Sequence, residues 1–328
     1  MNHNRLVRLL CALAFAGALM AGTFSVAQAA PTHVFVAASG KDRNPCTLRK
    51  PCQTISRGIN AILPRGTVTI IESGDYPSFS IDDNHSSVHQ YITVEAALGI
   101  TANVSEATTT LIDIHANGQD TVVLRGLRLL ISENGSIGIS CASVHALYIE
   151  SCFVSGFTSG INFSARGRLF LQDSNLKENA VAVTVVSTEG PSKISIDHCR
   201  LEDNGTNGLD IRSGAQVVLR DSLIANSAHY GVTCSAGTKN NPAILFIENS
   251  VITGGDYNCP GTCEDGIGVY VDSVEYGDAV VTLSNSTITQ NRTGVEVAGK
   301  GQAFAYKNNR ISGNIKDVVG FLKELDGR

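Results

Sequence analysis

One eight-residue phrase recurs along this chain and leaves few folds open to it. It reads LYIESCFV from Leu147 to Val154, LFLQDSNL from Leu169 to Leu176, ISIDHCRL from Ile194 to Leu201, VVLRDSLI from Val217 to Ile224 and LFIENSVI from Leu245 to Ile252. It returns as VTLSNSTI from Val281 and FAYKNNRI from Phe304, with a looser copy, VVLRGLRL, from Val122. Successive copies begin 25, 22, 25, 23, 28, 36 and 23 residues apart. A repeat of that length with insertions of varying size marks a solenoid, in which one short unit stacks on the next.

Within each copy apolar and polar residues alternate, a small polar pair follows, and an apolar residue begins a second short strand. Asn stands three residues further on at Asn179, Asn204, Asn291 and Asn314, and then a Gly opens a third alternating run, as in Gly208-Leu209-Asp210-Ile211 and Gly294-Val295-Glu296-Val297. Three strands per coil, each paired in parallel with its copy about 4.8 Å away, bury the inward Ile, Leu and Val in one continuous core. The expected fold is therefore all-β, a parallel β-helix of about ten coils. The polar pair forms a column that includes Ser151, Asp173, His198, Asp221 and Asn249, residues that tolerate a sharp turn, so His198 is read as a ladder residue before a catalytic one. Open ends of such an array need caps. Ile55, Ile59, Ile62 and Leu63 after Thr54 predict a short amino-terminal helix, and Val318, Phe321, Leu322 and Leu325 predict a terminal helix or packed tail.

Arg5 and Arg8, the apolar run Leu9 to Met20 and the small-residue end Ala27-Gln28-Ala29 read as a signal peptide over 1–29, followed by a single domain over 30–328. A secreted chain, periplasmic or extracellular, is expected, with no membrane span in the mature protein. Loss of the signal leaves 23 basic against 30 acidic residues, which argues against a nucleic-acid partner. It also leaves eight of the nine Cys in an oxidising compartment. The spacings predict disulfides Cys46–Cys52 and Cys259–Cys263, zinc being the weaker reading because no His stands at finger spacing. Cys141, Cys152, Cys199 and Cys234 read as small buried fillers or loop staples.

The entry VFVAASGKDRNPCTLRKPCQTISRGINAI from Val34, VTIIESGDY from Val68 and the repeats together resemble the right-handed parallel β-helix proteins of the pectin-lyase-like superfamily. That resemblance implies the fold; members of the superfamily include lyases, hydrolases, esterases, epimerases and surface proteins without known catalysis. Ile196-Asp197-His198-Cys199 followed by Asn207-Gly208-Leu209-Asp210-Ile211 is similar to a pectate-lyase signature that helps bind calcium. This chain departs from it: there is no Trp, Thr206 stands where a second carboxylate is expected, and the family's Arg-x-Pro-x-x-Arg segment is absent. Asn207 to Asp210 and Glu264-Asp265-Gly266 resemble polygalacturonase strands, without that family's Gly-His-Gly and Arg-Ile-Lys motifs.

If Leu209 and Ile211 point inward, Asp210 and Arg212 point out. His229 and Tyr230 in the next coil, and Glu264, Asp265, Tyr270 and Asp272 in the one after, fall on the same side. Asp210 and Asp265 are the expected acid and base, about 10 Å apart across two coils. In a second arrangement Asp210 holds calcium and Arg212 accepts the proton, with His229 as a further titratable group. Asn207, Tyr230, Glu264, Tyr270 and Asp272 would contact substrate. No cofactor is required, and calcium is the one cation these residues would take. The expected function is a monomeric secreted protein that binds or processes a polysaccharide or cell-surface glycan, as a lyase or glycoside hydrolase if it is an enzyme. The alternative is a non-catalytic, adhesin-like surface protein.

Overall fold

The computed structural model describes residues 31–326 apart from 63, 84–88, 107–108, 132–135, 188–189, 238–240, 256–265 and 275–277. The repeats set three parallel sheets. The first has twelve strands from His33–Val36 to Leu322–Leu325, the second ten short strands from Gly74–Tyr76 to Arg310–Ile311, and the third ten strands from Phe79–Asp82 to Lys316–Val319. In each sheet a strand pairs with its copy in the next coil. Leu147, Leu169, Ile194, Val217, Leu245 and Val281 therefore form one register column, and Ile149, Leu171, Ile196, Leu219, Ile247 and Leu283 another. Both columns are buried and belong to one core that runs the length of the array.

Two ladders close the corners between strands. At the first corner Ser151, Asp173, His198, Asp221, Asn249 and Asn285 all adopt left-handed backbone, φ 46 to 53°, as the polar pair predicts. The residue after each is buried, and its side chain accepts from the coil before: Ser174 Oγ takes Cys152 N at 3.0 Å, Ser222 Oγ takes Cys199 N at 3.0 Å and Ser250 Oγ takes Ser222 N at 3.2 Å. Cys152 and Cys199 are thus small members of this ladder, and Cys141, Cys152, Cys199 and Cys234 are all buried free thiols rather than staples. Burial pushes the thiols of Cys152 and Cys199 up to about 11 and that of Cys234 up to about 12, so none is primed as a nucleophile. Cys46 and Cys52 form the predicted disulfide; Cys259 and Cys263 lie outside the described residues.

At the second corner the Asn residues form a buried ladder. Phe157 N donates to Asn179 Oδ1 at 3.1 Å, Asn179 N to Asn204 Oδ1 at 3.1 Å and Asn291 N to Asn314 Oδ1 at 3.0 Å. Each amide nitrogen donates to a carbonyl of the previous coil, as Asn204 Nδ2 does to Leu176 O at 3.3 Å. The neighbouring glycines exist for this ladder: a Cβ on Gly294 would stand 2.7 Å from Asn314 Nδ2 and 2.6 Å from Asp317 O. Ser227 holds the equivalent place after Asn204, and its buried Oγ has no hydrogen-bond partner. Ser227→Asn is expected to extend the ladder to Asn204 and raise stability by about 1 kcal/mol. Thermal melting should then rise by about 2–4 °C; a fall would mean that the space beside Gly208 cannot take an amide.

Helix α1, Ile55–Ile62, caps the amino end and buries Ile55, Ile59 and Ile62. Thr54 is its N-cap, accepting Arg57 N at 3.2 Å, and Asp42 accepts both Gln53 N and Thr54 N at 2.9 Å. The carboxyl end corrects the expectation of a helix. Lys316–Val319 and Leu322–Leu325 are strands that continue the third and first sheets. The preceding coil presents open strand edges, and pairing satisfies them, whereas Gly320 at φ 83° turns the chain where a helix would have to continue. Val318 and Phe321 are consequently exposed, at 40% and 75%. Among the described residues no helix is long and apolar enough to cross a membrane.

Candidate functional site

On the third sheet the buried Leu209 and Ile211 send Asp210 and Arg212 to the outer face. The register runs Thr184, Asp210, Thr233, Tyr270, Glu296 along one column and Asn207, Tyr230, Ile267 along the next. The position two coils beyond Asp210 is therefore Tyr270, not an acid. Glu264 and Asp265 lie outside the described residues.

Asp210 is 6% exposed although it faces outward, because its neighbours cover it. Its Oδ2 accepts Arg212 Nε at 3.0 Å and Nη2 at 2.8 Å, and its Oδ1 accepts Thr233 Oγ1 at 2.7 Å. Oδ2 takes two of these donors and Oδ1 one, so the carboxylate is held in place by its neighbours. Arg212 is likewise occupied by Asp210.

Further along the same face, Tyr270 lies 5.2 Å from Tyr230, ring centre to ring centre, and His229 meets Tyr230 edge-on at 6.4 Å. Burial first, and then the negative charges of Asp272 and Glu296, push the Tyr270 phenol above its ordinary value. Glu296 was not among the residues expected from sequence; its outward place in the alternating run Gly294 to Val297 is the signal that could have found it.

The first sheet carries a second outward feature that sequence reasoning missed. Its middle column runs Tyr148, Phe170, Ser195, Val218, Phe246, and the column beside it runs Arg168, Lys193, Gln216, Ile244. Two small side chains between two Phe leave a trough about three coils, or roughly 14 Å, from ring to ring. Its volume is about 500 Å³. Tyr148 stacks on Phe170 at 4.6 Å and 10° and extends the aromatic end. Arg168 is steadied by His145 Nε2 at 2.9 Å. A third outward column, Asp197, Arg220 and Glu248, runs on the other side of the middle one. Asp197, His198 and Asp221 bring three ligand atoms within 4.8 Å of one another, but Asp197 pairs with Arg220 at 3.5 Å and His198 at 2.9 Å, and Asp221 accepts from Asn249. Signals for the trough were present in the repeats, where outward positions carry Phe170 and Phe246 instead of polar residues.

A known protein family, the right-handed beta helix region, matches residues 99–251. No match was found among curated protein sequences. Among solved structures, an alginate lyase from Paenibacillus sp. str. FPU-7 aligns with a TM-score of 0.64 at 14% identity, over 89% of this chain and 99% of that one. A complex of XylC with xylose aligns at 0.57 with 9% identity, over 89% and 70% of the two chains. Pectate lyase Pel9A aligns at 0.53 with 15% identity, over 85% and 70%. With the sheet order above, these likenesses establish a right-handed parallel β-helix of the pectin-lyase-like fold.

Proposed function

We propose that this β-helix is a secreted polysaccharide-binding protein and that a glycan chain lies along the trough of the first sheet. The observation that carries the reading is the pairing of Phe170 and Phe246 across a trough whose rim bears Arg168 and Lys193. The flat C–H faces of sugar rings pack on aromatic rings, while hydroxyl or carboxylate groups meet a few placed polar side chains such as Gln216 and Ser195. Solenoid coils repeat at about 4.8 Å, a spacing suited to successive sugar units. Support also comes from the structural neighbours, whose names include an alginate lyase, a pectate lyase and a complex with xylose.

A second reading, catalysis on the third sheet, is favoured by one observation: the Tyr270 phenol stands beside Tyr230 with Asp272 and Glu296 close enough to perturb it. A panel of neutral and acidic polysaccharides, scored for retention, reducing ends and unsaturated products, with and without calcium, separates the readings. Retention without product is the expected result. Product formation that is lost in Tyr270→Phe would move the function to the third sheet, and absence of any glycan binding would leave the adhesin-like scaffold.

A further inference from the structure

The two ends of the array close in different ways. Helix α1 covers the amino end, whereas Lys316–Val319 and Leu322–Leu325 are the edge strands of the third and first sheets at the carboxyl end. A strand edge presents unpaired N–H and C=O groups, a ready template for a strand of another chain. Apolar side chains accompany the edge here: Leu322 packs on the end of the core, and Ile315, Val318 and Phe321 are exposed. Open edges beside such side chains would invite a second copy of the chain to add its own last coil.

Two features stand in the way. In the first sheet Ile247, Leu283, Ala305 and Glu324 follow one another in register, so Glu324 holds the next place in an inward column. Ala305 is only 5% exposed, which makes the column core up to the coil that carries the carboxylate. Leu322, two residues earlier, continues the sister column after Val281 and Ala303 with an apolar side chain. Among the described residues Glu324 makes no hydrogen bond or ion pair, so its charge adds no contact to its own coil. A chain added at this edge would bury that carboxylate beside Ala305 with no partner, which is costly. The second feature ends the asparagine ladder. Asn179 N and Asn291 N donate to the Asn of the following coil, but Asn314 has no following coil, and its N and Nδ2 donate to Asp317 Oδ1 at 3.2 and 3.0 Å. The acceptor that an incoming coil would bring is already in place.

We propose that the last coil is a built stop, in which the Glu324 charge in a core column keeps the open end of the β-helix from joining the same end of a second copy. Inward-pointing charge protects sheet edges in this way. Sedimentation over a range of concentrations tests it. The parent is expected to run as monomer, and Glu324→Leu to dimerise, its self-association strengthened about tenfold or more. The melting temperature of Glu324→Leu should equal or exceed that of the parent, because no contact within the coil is lost. Lys323→Leu adds the same side chain one residue away on the outward face, where Lys323 lies over Phe304 at 5.8 Å, and should stay monomeric. Should Glu324→Leu not be recovered folded, Glu324→Gln, which keeps the shape and removes the charge, carries the test, with stronger association again expected. A folded Glu324→Leu no more associated than the parent, or Lys323→Leu as strongly associated as Glu324→Leu, would overturn the proposal. So would a lowered melting temperature without dimer, which would make Glu324 a stabilising residue of its own coil.

Discussion

Leu219→Asp is expected to abolish recovery of folded protein, or to lower its melting temperature by more than about 10 °C. Leu219 is fully buried between Ile196 and Ile247 in the inward column of the first sheet. Removing a buried Leu side chain alone costs about 2–5 kcal/mol, and a carboxylate with no partner adds to that. Most of the roughly 5–15 kcal/mol that keeps a domain folded would be spent. The adjacent Val218 faces outward, so Val218→Asp should melt within a few degrees of the parent. This contrast tests register directly, since a slip of one residue exchanges the two faces. A stable Leu219→Asp beside an unfolded Val218→Asp would reverse the assignment of inside and outside.

The inward residues were legible in the sequence because each coil repeats the same burial problem. Leu147, Leu169, Ile194, Val217 and Leu245 carry the same requirement, and so do the Asn and left-handed corner positions. Eight copies of one constraint are easier to recognise than one copy of many. The ends were less legible because they lack copies. Val318, Phe321, Leu322 and Leu325 fit helical spacing, yet the open edge of the previous coil decided in favour of strands.

Outward positions were the least legible. The period identifies Asp210 as outward, but the sequence does not reveal that Arg212 and Thr233 hold its carboxylate. Nor does it show that Tyr270, three residues after Ile267, shares a column with Asp210. Register across coils with insertions of different length depends on where each loop ends. Seeking paired acids also drew attention to the third sheet, whereas the trough of the first sheet is made by what two coils lack, large side chains at Ser195 and Val218.

Removing the two ends of that trough together should have the largest effect on function. Phe170 and Phe246 are half-buried, and one face of Phe170 is held by stacking on Tyr148. Aromatic anchors of this kind are worth about 2 kcal/mol in an interface, more than tenfold in affinity. Their register positions are three coils apart, roughly 14 Å, beyond the distance at which substitutions usually couple, so the losses should add. Phe170→Ala and Phe246→Ala are each expected to weaken glycan retention about tenfold or more, and the double variant about a hundredfold or more. Melting should move little, because neither ring belongs to the core between the sheets. Lys193→Ala would then discriminate among ligands: a larger loss for acidic than for neutral glycans, reduced by added salt, is the expected signature of a rim cation. If the double variant retains glycans as well as the parent, the trough is not the binding surface. Loss of retention in Tyr270→Ala in that case would place the glycan on the third sheet, across Tyr230 and Tyr270.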